Sequence, residues 1–216
     1  MQEMINSKHL LIYSRNFFKG SLKAGNKTFS TSYGDACQER KKKRNENAIR
    51  ANTRILFLRE HSNEKILEML YRLIREDRVG NCQEYAFIAI DYGVRISMPD
   101  VWLVVHDSHV FVLLADTEIF YQQPMPLSDF SKYKNDRYWI CDPWFNIHCK
   151  MCEYEPMVSL KAAKWEQEGK RIGTYESTSI AAKEWSLKLS SGEIQFFKMT
   201  THNGTRTRIG GVLYSR

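Results

Sequence analysis

The stretch that most limits how this chain can fold runs from residue 63 to residue 142, where two segments of helical periodicity give way to three short β-favouring runs. Ile66, Leu67, Leu70, Leu73 and Ile74 share one face at helical spacing, and Ser62 or Asn63 can cap that helix. Arg78-Val79-Gly80-Asn81 interrupts it. A second apolar helix begins at Cys82, with Tyr85, Ala86, Ile88, Ala89 and Tyr92 inside and Gly93 placed to end it. Residues 101–105 and 109–114 then read as strands, with Asp107-Ser108 as a turn or bulge between them. A third run, residues 138–141, ends at Asp142, and Pro143 prevents a normal ladder bond beyond it. Helices followed by strands define an α+β class.

Three side chains in this stretch have the makings of a reactive site. Cys82 falls in the first turn of its helix, where free N–H groups and the positive end of the helix dipole favour thiolate over thiol. His109 opens a buried strand. Asp142 ends another, where an acid can fix an imidazole tautomer and stabilise imidazolium. Cysteine, histidine and aspartate thus appear in the order and local settings that a thiol nucleophile, its base and an orienting acid require. His106 competes with His109, three residues away across the turn, but the apolar strand after His109 would hold that ring more rigidly.

The motifs Gly80-Asn81-Cys82, His109-Val110-Phe111 and Asp142-Pro143 resemble the core of transglutaminase-like enzymes, a branch of the papain-like cysteine fold, over residues 63–146. The resemblance implies a cysteine-bearing helix packed on an antiparallel sheet that carries the histidine and aspartate. It implies Cys82 as nucleophile, His109 as general base and acid, and Asp142 as orienting carboxylate, with no cofactor. It also implies chemistry on protein amides, as protease, deamidase or transglutaminase, through a thioacyl intermediate. Compact Cys-His-Asp domains of this kind occur among virulence effectors that intracellular bacteria inject into host cells, so a host protein is one substrate to consider. The Cys82 N–H is a first oxyanion donor, and Gln83, Trp102 or Trp139 are candidates for the second. A catalytically silent interaction module of the same fold is the alternative.

Other features carry weaker signals. Cys141, His148, Cys149 and Cys152 include one pair at metal-ligand spacing, Cys149-x-x-Cys152, without a well-separated second pair. Adjacent Cys141 and Asp142 face opposite ways on a strand, so both cannot serve one site. These cysteines therefore read as reduced thiols, and no metal is assigned. A zinc-stabilised nucleic-acid binder is a third, weaker reading. The net charge of +7 draws attention to the run Arg40, Lys41, Lys42, Lys43 and Arg44, which suits an acidic partner or a solvated helix or loop. No nucleic-acid-binding motif accompanies it.

The chain has 216 residues, 43% of them hydrophobic, enough for one sizeable core. Residues 1–50 read as a basic, partly irregular segment, and residues 51–216 as one enzyme domain. Residues 122–134 read as a loop with a short helix, and residues 158–168 as helical. Residues 185–189 and 194–199 read as strands, with His202-Asn203-Gly204 as a turn before residues 205–214. Five cysteines at irregular spacing, no long apolar run, and no leader-like pattern in residues 1–20 lead to an expectation of a soluble protein in a reducing cytoplasm. Export without a cleaved signal peptide is compatible with the same features.

Overall fold

The computed structural model describes residues 2–22, 24–30, 38–60, 66–118, 124–173 and 178–212. Helices α1 (Gln2–Phe17), α2 (Gln38–Glu60), α3 (Ile66–Arg72) and α4 (Cys82–Arg95) precede most of the strands, with β1 (Lys27–Phe29) between the first two. Strands β2 (Val101–His106), β3 (His109–Leu114), β4 (Met125–Pro126), β5 (Trp139–Asp142) and β6 (Ile147–Lys150) follow. Then come α5 (Tyr154–Gln167), β7 (Lys170–Gly173), β8 (Ser179–Ala181), α6 (Ala182–Ser191), β9 (Glu193–Lys198) and α7 (Arg208–Val212). The chain is α+β, as its sequence implies.

The main sheet has the order β4-β9-β2-β3-β5-β6 and is antiparallel throughout. Its centre is the β2–β3 pair, in which His106 faces His109 across the two-residue turn Asp107-Ser108. The last named pair between β3 and β5 on the site side is Val112 with Cys141. Continuing that register places Asp142 opposite Phe111, diagonal to His109 and on the same sheet face, because side chains alternate along each strand.

Two apolar clusters fill the two faces. On one, Leu10 of α1 and Ala86, Ala89 and Ile90 of α4 pack on Val112, Leu114 and Cys141. On the other, Trp102, Phe111, Leu113 and Ile140 meet Phe130, Tyr154 and Trp185 from the elements around α5 and α6. A second, three-stranded antiparallel sheet, β1-β7-β8, joins the N-terminal segment to the C-terminal half.

Several sequence expectations change. Within the segment read as partly irregular or loosely helical, residues 2–17 form a regular helix: Ser7, Leu10, Ser14 and Phe17 make a buried stripe at helical spacing, and Ser14 Oγ donates to Tyr85 O at 2.8 Å. Gly93 does not end α4, which continues to Arg95; it is buried within the helix where α4 meets Leu10 of α1 and Val101 of the sheet. Residues 185–189 are helical, within α6, because Trp185 and Leu189, four apart, share its buried face. Residues 193–198 do form a strand, β9, which pairs with β2 in the main sheet. After the turn at His202-Asn203-Gly204, residues 208–212 form the short α7. The expected caps Ser62 and Asn63 lie outside the described residues. No helix among the described residues is long and apolar enough to cross a membrane.

Candidate active site

Helix α4 begins at Cys82 because the residues around it fix its first turn. Asn81 is the N-cap, and its backbone N–H donates to Glu84 Oε2 at 2.8 Å. Glu84 is completely buried and takes a two-pronged bond from Arg59 of α2, Nε to Oε1 at 2.9 Å and a terminal nitrogen to Oε2 at 3.1 Å. Asn81 Oδ1 also accepts the Asn26 N–H at 3.1 Å, which brings the chain entering β1 against the helix start. Gly80 is required by space: a Cβ there would lie 2.9 Å from both Glu84 Cβ and the Phe18 ring. Cys82 itself is half-buried, and Gln83 beside it is half-buried as well.

Beneath this helix start, His109 Nε2 and Asp142 Oδ2 are 2.7 Å apart, both side chains being fully buried. The carboxylate has two further donors. Tyr154 Oη donates to Oδ2 at 2.7 Å and the Phe145 N–H to Oδ1 at 3.0 Å. Burial pushes the Asp142 pKa up, but the His109 charge and these hydrogen bonds outweigh it and hold the carboxyl below its ordinary value. For His109, burial pushes the pKa down; the Asp142 charge and hydrogen bond, together with Cys82, reverse this and carry it up to about 9. The ionised carboxylate fixes the Nε2–H tautomer. That leaves Nδ1, which is buried without a hydrogen bond of ordinary geometry, as the free nitrogen of a ring that interacts electrostatically with Cys82.

The ring is held in an aromatic box, with Phe111, Trp144, Phe145 and Trp185 at centroid distances of 5.3 to 5.7 Å. The turn that supplies Asp142, Trp144 and Phe145 is gripped from the N-terminal segment. Arg15 donates to Pro143 O at 3.0 Å, and Lys27 Nζ donates to Trp144 O at 2.6 Å while lying 3.7 Å above the Trp144 ring. Lys27 is half-buried, and burial lowers its pKa well below the ordinary value despite the pull of Asp142.

His106 does not join this group. Its Nδ1 accepts the Ser108 N–H at 3.0 Å, and its ring lies so close to Gly192 that a Cβ there would sit 1.8 Å from Nε2. The indole N–H of Trp102 donates to Ala115 O at 2.9 Å and that of Trp139 to Asp136 O at 2.6 Å, so neither is available as an oxyanion donor. Trp144 Nε1, by contrast, is a buried donor with no acceptor among the described residues, in a ring packed against His109. Sequence reasoning missed Trp144, Tyr154 and Lys27. Only the position of Trp144, two residues after Asp142, carried any signal.

The four-residue constellation read for zinc is dispersed by the sheet. Cys141 pairs across β5 and β6 with His148, whereas Cys149 pairs with Ile140 and faces the opposite side. Among the described residues no group of three or more His, Cys, Asp or Glu side chains is placed to hold a metal. Burial pushes the Cys149 thiol up to about 12 and the Cys141 thiol well above its ordinary value, which leaves both unreactive. In the basic run, Arg44 turns inward and donates to Leu22 O at 3.0 Å, while Lys42 and Lys43 remain exposed.

Comparison of the chain with protein-family models, with curated proteins and with solved structures finds no match.

Proposed function

We propose that this chain is a cysteine-dependent acyl-transfer enzyme of transglutaminase-like or papain-like type, acting on protein amide bonds. The observation that carries the reading is the fully buried His109–Asp142 pair, electrostatically coupled to a half-buried cysteine in the first turn of a helix. In this mechanism His109, raised to about 9, already holds the thiol proton near neutral pH, and Cys82 Sγ attacks the carbonyl carbon of the amide as the thiolate. The tetrahedral oxyanion is met by the N–H of Cys82, the first residue of the helix, and by the Trp144 indole N–H. Collapse breaks the C–N bond, the imidazolium gives its proton to the departing amine, and a thioester remains on Cys82. Water then yields proteolysis or deamidation; a lysine amine yields a cross-link. A bacterial effector acting on a host protein is one setting for this chemistry.

The test is the rate of iodoacetamide alkylation at each cysteine, read by peptide mass spectrometry from acidic to alkaline pH in the parent and in His109→Ala. Cys82 alone is expected to react fast at acidic pH and to lose that advantage in the variant. Equal rates at all cysteines, indifferent to His109, would leave a catalytically inactive interaction module as the better reading. A further expectation concerns Trp144→Phe, which keeps the ring packing and deletes the indole donor. Deacylation of a p-nitrophenyl ester should slow by about 10²- to 10³-fold, as for loss of one oxyanion donor. Unchanged turnover would remove Trp144 from the mechanism.

The pH dependence of folding has a definite sign. His109 is raised from about 6.5 in the unfolded chain to about 9, so its contribution is complete below about pH 6.5 and is lost as pH rises through 9. Asp142 is depressed, so its contribution is present above about pH 4 and fades as pH falls below that. Urea midpoints should therefore be highest between about pH 4 and 6.5 and fall toward pH 9, and His109→Gln should flatten the alkaline fall. A parent midpoint that rises from pH 6.5 to 9 would contradict the assigned ion pair.

A further inference from the structure

Helix α2 buries Ala48, Ala51, Ile55 and Leu58, and turns a second apolar row outward. Ile49 is 68% exposed and Phe57 54% exposed, and with Thr53 between them they follow one another at four-residue spacing. Met69 and Leu73, also four apart, face this row from α3 and the turn after it. The two rows wall a groove of about 790 Å³, on the scale of ligand-binding cavities.

The rim of the groove is basic. Arg50, Arg54 and Arg72 line it against a single acid, Asp77. Arg54 is paired with Asp77 at 2.8 Å, each side chain about one third exposed, and Arg72 is paired with Glu68 in the open; a pair that water reaches is weak enough to exchange for an incoming carboxylate. Arg50 has no carboxylate partner among the described residues. The same helix carries eight basic residues against three acidic ones.

We propose that the groove between α2 and α3 is a docking site for an acidic amphipathic helix of a partner protein. Each element of the geometry selects that occupant. Two apolar rows at helical spacing accept side chains at i, i+4 and i+8 of a third helix. The basic rim favours glutamate and aspartate flanking that stripe and repels a basic helix. The concavity between two helices is filled by a rod and not by a flat lipid surface. The groove lies on elements that contribute no side chain to the Cys82–His109–Asp142 group, so this assignment stands apart from the catalytic one.

The test pans a phage library of random peptides of about 16 residues, some four turns of helix, against the full chain carrying Cys82→Ala. Recovered sequences are expected to share apolar residues four apart flanked by Asp or Glu. Their synthetic counterparts, followed by fluorescence anisotropy, should bind at least about tenfold more weakly to Ile49→Glu and to Arg50→Glu. Added salt should weaken binding to the parent. Both substituted residues are exposed, and an unchanged melting temperature confirms that the fold is intact. Failure to enrich such sequences, or binding that ignores both substitutions, overturns the proposal. So does cosedimentation with phosphatidylserine vesicles, or self-association of the chain, that the same substitutions abolish, because the groove would then serve a membrane or a second copy.

Discussion

Replacing Asp142 by asparagine is expected to slow acyl transfer from a p-nitrophenyl ester by about 10⁴-fold, the scale seen when the acid of a comparable triad is neutralised. The reason lies in the three donors that converge on its carboxylate: His109 Nε2–H, the Tyr154 hydroxyl and the Phe145 N–H. An asparagine whose carbonyl keeps the Phe145 bond presents its NH₂ to His109. Two donors cannot face one another, so the imidazole must adopt the other tautomer, with its proton on Nδ1. That is the nitrogen needed free to accept the thiol proton. Loss of the negative charge also removes what holds His109 up near 9, so imidazolium is no longer stabilised against burial. The measurement is the ester turnover in parent and variant, with near-ultraviolet dichroism to establish that the fold is retained. A well-folded Asp142→Asn protein within about tenfold of the parent would mean that the acid does not set the tautomer, and the triad assignment would fall with it.

Arg59→Met should cost about 3–5 kcal/mol of folding stability, the range for breaking a buried pair from one side. Glu84 is completely enclosed, and Arg59, one quarter exposed, is its counter-charge through two hydrogen bonds. Without the guanidinium, a carboxylate is left in an apolar surround with one backbone donor, the Asn81 N–H. Adding Glu84→Gln to Arg59→Met should recover part of the loss, since the stranded charge and not the missing attraction dominates the cost. Urea unfolding of the single and double variants supplies the numbers. The effect reaches the site, because Glu84 closes the capping box that starts α4 at Cys82. A loss under about 1 kcal/mol, as for an exposed ion pair, would show that this helix start is open to water in solution.

How much of this was legible in the sequence differs from element to element. The start of α4 was readable to the residue, since the break Arg78-Val79-Gly80-Asn81 gives way at Cys82 to an apolar run at helical spacing. The three central β-runs were readable from their β-favouring residues, bounded by Asp107-Ser108 and by Pro143. Residues 185–189 were not. Trp185 and Leu189, four apart, satisfy a strand's alternation and a helix's period equally, and the buried face of α6, which takes in both residues, settles the matter. The N-terminal helix was hidden because its buried stripe contains Ser7 and Ser14, polar residues that pattern reading assigns to solvent.

The sequence by itself determined which residues could form a reactive centre and in what local setting each would stand. Helix starts and strand ends depend on neighbours within a few positions, and Cys82, His109 and Asp142 each occupy such a place. Only the tertiary structure decided what surrounds them. Arg15 reaches Pro143 across 128 positions and Lys27 reaches Trp144 across 117, while Tyr154 finds Asp142 through the packing of a helix under the sheet. The choice of Trp144 over Trp102 and Trp139 as the indole without an acceptor among the described residues was settled in the same way. Whether a buried donor has a partner depends on register and on which elements close over it. Those contacts form only when distant segments are brought together, and no local propensity encodes them.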